Sequence, residues 1–156
     1  MEVTIYKETM DQVFAHAIDE YPNECCGWII QDQHSGMVYV RAENLQNKYH
    51  KLDPETYPRT SKDAFLMDSL KLSRAVEAAQ NAGGSLYSLV HSHIDCGAYF
   101  SKEDEIQMTA PDFSEPVFPA GCYLVVSVEK GEPSESAVFI FDSIQKKYIK
   151  ADLKII

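Results

Sequence analysis

Met10, Val13, Phe14, Ala17, Ile18 and Tyr21 recur at i, i+3, i+4, i+7, i+8 and i+11, which places them on one face of a helix. Thr9 and Gln12 have the spacing of a capping box at its start, and Pro22 follows its end. The apolar period then shortens. Cys26–Gln31 and Met37–Glu43 read as two strands around a turn at His34, Ser35 and Gly36. Residues 44–60 carry two prolines and no clear period, and read as a loop. Ser61–Ala82, rich in Ala, Leu, Met and Lys, reads as a second helix that Gly83-Gly84 stops. Ser85–His93 reads as a strand, Ser101–Thr109 as a short helix and Pro111–Ala120 as a proline-rich loop. Tyr123–Val128, Ala137–Asp142 and Tyr148–Leu153 read as strands, separated by turns at Gly131-Glu132-Pro133 and Ser143–Lys147.

This order predicts an α/β fold: a mixed sheet with helices on its faces, in which strands joined by short turns pair antiparallel. No repeat or low-complexity linker interrupts the pattern, so residues 1–156 are expected to form a single domain with a real core. Composition narrows the function. Hydrophobic residues make up 45% and charged residues 24%, as in ordinary globular proteins. The net charge of −10 argues against a nucleic-acid partner, because tracking phosphates needs dense Lys and Arg. No apolar run follows a basic start, and no stretch of about 18 apolar residues occurs. Neither a signal peptide nor a membrane partner is expected, and the localisation implied is cytoplasmic. Cys25, Cys26, Cys96 and Cys122 form no C-x-x-C pair and are read as reduced, mostly buried thiols.

Candidate chemistry concentrates in 86-LYSLVHSHIDCGAYFSKEDEIQM-108, which holds two of the five histidines. Strand residues i and i+2 point the same way, so His91 and His93 project together at the end of an apolar strand. Two neutral imidazoles held like this suit zinc, although a metal-free histidine pair is the plainer reading of the spacing alone. Ser101 and Asp104 share a helix face, and S-x-x-D is also a helix-capping signature. If residues 94–100 fold the chain back, Asp104 meets both histidines and completes a three-ligand site with an open fourth position. Asp95 competes for that role. Three ligands at 91, 93 and 95 of a straight strand would span roughly 13 Å, too far for one ion with bonds of about 2 Å. Asp104 is therefore preferred, and Asp95 is expected to hold the loop or support a ligand.

H-x-H, seven residues, then S-x-x-D resembles the signature of the JAMM (JAB1/MPN/Mov34) metalloproteases, here His91-Ser92-His93, Ile94 to Phe100, and Ser101-Lys102-Glu103-Asp104. That family also carries a glutamate before its first apolar strand, and 21-YPNECCGWII-30 supplies Glu24 there. The likeness runs along nearly all of the chain and suits the compact prokaryotic branch. It implies a JAB1/MPN-like, cytidine-deaminase-like sandwich with a mixed, mostly antiparallel sheet. It implies one zinc per chain on His91, His93 and Asp104, with Glu24 as the proton carrier and Ser101 as an oxyanion donor. The activity implied is a peptidase or isopeptidase cutting after the C-terminal Gly of a ubiquitin-like or sulfur-carrier protein.

On residues alone, Glu24 reads as an exposed acid and Ser101 as a helix cap. His16 reads as a helix side chain, Trp28 as core, and His50 lies in a loop that often touches substrate in this family. Three other readings stand beside this one. A zinc deaminase needs H-x-E and P-C-x-x-C, which are absent. A DNA-repair-associated relative shares the H-x-H-x7-S-x-x-D spacing, but usually has Asn, Pro, Ser and Gly around the histidines. A catalytically silent MPN-type scaffold would have lost ligands that this chain retains.

Overall fold

In a computed structural model, which describes residues 1–112 and 114–156, the chain runs β1 (Glu2–Ile5), α1 (Lys7–Glu20), β2 (Cys26–Gln31), β3 (Met37–Ala42), α2 (Gln46–Leu52), α3 (Ser69–Asn81), β4 (Ser85–Ile94), α4 (Lys102–Met108), β5 (Cys122–Glu129), β6 (Glu132–Asp142) and β7 (Lys147–Ile155). The strands form one seven-stranded sheet in the order β1-β7-β6-β5-β4-β2-β3. The sheet is mixed: β1 with β7 and β4 with β5 pair parallel, and the other neighbours pair antiparallel. Residue 113, inside the expected loop Pro111–Ala120, lies outside the described residues.

Strand alternation builds two cores, one on each face. Leu124, Val126 and Val128 of β5 join Met10, Val13 and Ala17 of α1 on one face. Tyr123 and Val125, the intervening residues, join Leu72 and Val76 of α3 on the other. Each fully buried Val or Leu contributes about 1.5–3 kcal/mol through area removed from water. β5 is apolar on both faces because helices cover both. A register shift between β2 and β4 at Ile29/Ile30 lets Leu86 face the α3 core while Val90 faces the α1 core.

Several expected boundaries move, each for a physical reason. α1 begins at Lys7, not Met10; the Met10 N–H already bonds Tyr6 O at 3.0 Å, and Thr9 is buried on the inner face instead of capping. The second long helix starts at Ser69, not Ser61. Asp68 caps it by accepting the N–H groups of Leu70 and Lys71, each at 3.1 Å. Residues 61–68 stay irregular because their backbone is used elsewhere: Ser61 O bonds Glu24 N and Leu66 O bonds Leu45 N. The expected loop 44–60 holds α2, whose first N–H, on Gln46, is taken by Asn44 Oδ1 at 3.0 Å. β6 begins at Glu132, since the reversal before it is made by Lys130 and Gly131, both at positive φ. β1 lacked a sequence signal; its partner β7 lies at the other end of the chain.

The amphipathic reading of α3 is directly testable. Leu72 is wholly buried and Leu70 is 58% exposed. Leu72→Ala should cost about 2–5 kcal/mol and Leu70→Ala less than about 0.5 kcal/mol, measured by urea unfolding of each variant; equal losses would contradict this packing.

Candidate metal centre and catalytic cleft

β4 lies inside the sheet between β2 and β5, so its residues are fixed from both sides. Leu89, His91 and His93 point to the α3 face. The β2–β4 register sets Cys26 opposite His91. One residue further out, Ser92 clasps Cys25: Ser92 N–H donates to Cys25 O at 3.0 Å, and Cys25 N–H donates to Ser92 Oγ at 2.7 Å. Glu24 is thereby delivered beside the histidines. After β4 the chain turns at Asp95, and Ser101 starts α4, which carries Asp104 back.

The fold brings together His91, His93 and Asp104, all buried. His91 Nε2 lies 3.1 Å from His93 Nε2. Asp104 Oδ2 lies 3.2 Å from His91 Nε2 and 3.4 Å from His93 Nε2. A tetrahedral ion with bonds of about 2.0 Å holds its ligand atoms roughly 3.3 Å apart, and this triangle has that size. Tautomers support the same reading. His93 Nδ1 lies 3.0 Å from Gly97 O, and a carbonyl only accepts, so Nδ1 carries the proton. In the neutral ring the Nε2 lone pair then faces a carboxylate oxygen, a repulsive arrangement that a cation between them resolves. A hard-to-borderline cation such as zinc fits this N, N, O donor set.

Charge states follow from the surroundings. Complete burial lowers the pKa of His91, whose ring stacks on Phe65 at 4.5 Å and meets the edge of Tyr123 at 5.3 Å. Burial also resists ionisation of Asp104, but the neighbouring His91 and the Ser101 N–H outweigh it, and Asp104 lies well below the usual carboxylate range. Among the described residues His91 Nδ1 has no hydrogen-bond partner.

Glu24, His93, Tyr99, Ser101 and Asp104 line one cleft of about 580 Å³. Glu24 is 6% exposed, not the surface acid its own sequence context suggests. Its N–H bonds Ser61 O at 2.6 Å and its carbonyl accepts Asn44 Nδ2 at 2.9 Å. Burial first, then the charges of Asp104 and Asp63, push its pKa up to about 9. Ser101 caps α4: its Oγ accepts Asp104 N–H at 3.0 Å, and its own N–H donates to Asp104 Oδ2 at 2.9 Å. Asp95 stands apart from the triad, holding the Lys130 N–H and the Tyr21 hydroxyl.

The remaining candidates fall elsewhere. His50 bonds Tyr57 O at 2.7 Å within the 44–60 segment. His16 is buried against the Tyr39 hydroxyl at 2.8 Å, and burial lowers its pKa to about 4. All four cysteines are free; Cys96 lines the cleft and the other three are buried. Sequence reasoning missed Phe65, Tyr99 and Asn44. Phe65 falls in a stretch read as helix, Tyr99 sits in a segment without a period, and Asn44 carries the one local signal available, an Asn just before a helix.

The sign of the Glu24 shift makes a prediction. In the metal-free protein, folded Glu24 keeps its proton up to about pH 9 while the unfolded chain releases it near the ordinary 4.5. Stability contributed by this group is full below pH 4.5 and is lost as pH rises through 9. Metal-free Glu24→Gln should therefore outlast the wild type thermally near pH 9 and converge with it near pH 4.5. A gap that does not vary with pH would refute the shift.

Comparison with known proteins agrees with the geometry. Among the described residues no helix is long and apolar enough to cross a membrane. Over 107 residues the chain is 30% identical to tail tip assembly protein K of Escherichia phage N15, covering 67% of this chain and 35% of that protein. The chain thus spans about a third of that relative's length. A solved protein from Desulfitobacterium hafniense shares the fold at a TM-score of 0.67, with 22% identity, 100% of this chain and 93% of that one covered. One from Salinibacter ruber does so at 0.57, with 24% identity and 100% and 92% coverage. The pattern of the prokaryotic homologs of the JAB domain matches residues 6–140, and the chain belongs to that family.

Proposed function

We propose that this chain is a zinc-dependent peptidase or isopeptidase that hydrolyses the bond after the C-terminal Gly of a ubiquitin-like or sulfur-carrier protein. The observation that carries the reading is the triangle of ligand atoms, 3.1–3.4 Å on a side, on the wall of a cleft that also holds a buried glutamate. His91, His93 and Asp104 would hold one ion. When bound, the ion supplies Lewis acidity that polarises the scissile carbonyl and makes water a nucleophile near neutral pH.

The chain's own groups do the rest. Glu24 takes the proton of the attacking water and returns it to the leaving amine. In the metal-free cleft Glu24 is held protonated, and the ion's positive charge would act against the upward push from Asp104, towards the ionised form that accepts a proton near neutral pH. The Ser101 Oγ accepts a backbone N–H, which leaves its hydroxyl proton free to donate to the developing oxyanion. Tyr99 and Ile106, half exposed on the cleft, offer apolar surface to an extended tail. A small Gly-Gly terminus is the tail that reaches a buried triad with the least steric demand.

The likeness to the phage N15 protein favours a second reading, in which the same hydrolytic cleft serves the assembly of a tail tip. The two readings share chemistry and differ in the protein cut. A catalytically silent scaffold is the third outcome, since JAB domains include inactive members.

Two variants test the chemistry. Glu24→Gln should keep one zinc per chain, by metal analysis, and lose roughly 10²–10⁴-fold in turnover; loss of zinc with activity would give Glu24 another role. Asp104→Ala should lose the zinc, whereas Asp95→Ala should still take up one ion; the reverse pattern would reassign the carboxylate ligand. For the substrate, zinc-loaded protein is incubated with carriers extended past Gly-Gly, read by mass, with Glu24→Gln as control. Cleavage of unrelated peptides alone would retire the carrier reading, and no cleavage at all would favour the scaffold.

A further inference from the structure

The turn after His93 is organised by one side chain. Asp95 sits at φ 54°, a left-handed conformation that aspartate tolerates better than most residues. Its N–H bonds Val128 O at 2.9 Å. Its Oδ1 accepts the Lys130 N–H at 2.8 Å, and the Tyr21 hydroxyl lies 2.9 Å from each of its carboxylate oxygens. The residue after α1, the reversal between β5 and β6 and the end of β4 therefore meet at Asp95. Two residues on, Gly97 O accepts from His93 Nδ1 at 3.0 Å. One residue further, Ala98 N–H donates to Glu135 Oε2 at 3.0 Å. A Cβ on Gly97 would stand 2.9 Å from that oxygen, so only glycine fits without displacing Glu135. The Gly97–Ala98 peptide is thus anchored by Glu135 at its Ala98 N–H, two residues after the turn that Asp95 ties to Lys130 and Tyr21.

This carbonyl decides what His93 can do. A neutral imidazole carries one proton, and the acceptor at Nδ1 keeps it there. The lone pair is left on Nε2, which faces His91 Nε2 and Asp104 Oδ2. We propose that Asp95 is a positioning residue: together with Tyr21 it fixes the Gly97 carbonyl and so selects the His93 tautomer able to ligate a metal through Nε2. The proposal rests on the metal centre described above. Asp95 touches neither the ligand atoms nor the substrate; it acts through Gly97, and the contacts that orient a ligand imidazole in this way commonly change metal affinity by about 10–100-fold.

The test uses the full-length, metal-free protein and two variants, Asp95→Ala and Tyr21→Phe. Tyr21→Phe leaves Asp95 and its backbone bonds in place, so it still reports if Asp95→Ala fails to fold. Long-range ¹H–¹⁵N correlation of the imidazoles reads the His93 tautomer, and Co²⁺ titration followed by visible absorbance reads affinity and ligand geometry. Wild type should show His93 as a single Nδ1–H tautomer. Both variants should show mixed tautomers and an altered Co²⁺ spectrum. Their Co²⁺ binding should weaken by about tenfold. The metal-free thermal midpoint of Tyr21→Phe should stay near the wild-type value. Variants whose His93 tautomer and Co²⁺ affinity match the wild type would overturn the positioning role while leaving the metal centre standing. A wild type that takes up no Co²⁺, yet shows a tautomer sensitive to both substitutions, would overturn the metal centre and leave the tautomer selection intact.

Discussion

Everything in the cleft depends on the register between β2 and β4. Because β4 is also held by β5, sliding it by one residue would turn His91 and His93 to the α1 core and bring Ser92 to the cleft. The Ser92–Cys25 clasp extends that pairing beyond the last paired residue of β2 and brings Glu24 to the cleft, where no regular element would hold it. The apolar residues that make β4 and β5 interior strands thus set the side-chain chemistry at their ends. Val90 and Leu124 fill the α1 core, and with them in place His91 has only one direction in which to point.

Burial then makes the two carboxylates of the cleft unlike each other. Asp104 receives the Ser101 N–H and faces both imidazoles, and it stays ionised. Glu24 finds burial and the negative charge of Asp104, and it holds a proton well above the usual carboxylate range. Two acids of nearly identical intrinsic strength are driven apart by surroundings alone, the pattern that separates a fixed anion from a proton carrier. The separation is reciprocal: the charge that suits Asp104 to a cation is part of what raises Glu24.

How much of this was legible in the sequence varies by element. β2 and β4 were readable to within a residue because both are short apolar runs with sharp ends. α4 was readable from its capping box, which forms with both bonds present. Spacing put His91 and His93 on one side of a strand and disfavoured Asp95, but the meeting with Asp104 depended on residues 94–100 folding back and was carried by the resemblance to the JAMM signature. What local pattern could not supply is non-local. β1 pairs with the far end of the chain, and α2 hides in a proline-containing segment. Residues 61–68 looked helical but give their backbone bonds to Glu24 and Leu45. Phe65 stacks on His91 from that same irregular segment, and no periodicity could announce it.

Ser101 shows why a capping motif and a candidate active-site motif need not compete. A serine cap works through the lone pairs of its oxygen, which here accept the Asp104 N–H. Its hydroxyl proton is not used in that bond and stays available on the cleft side. The same exchange places Asp104, whose Oδ2 accepts the Ser101 N–H while it faces the imidazoles. A cap therefore fixes the carboxylate to within one turn of helix and presents a donor beside it. S-x-x-D reads as a structural signature because it is one. The chemical use proposed for it depends on a different condition, that the helix it starts is laid with its N-terminus against the histidine end of β4.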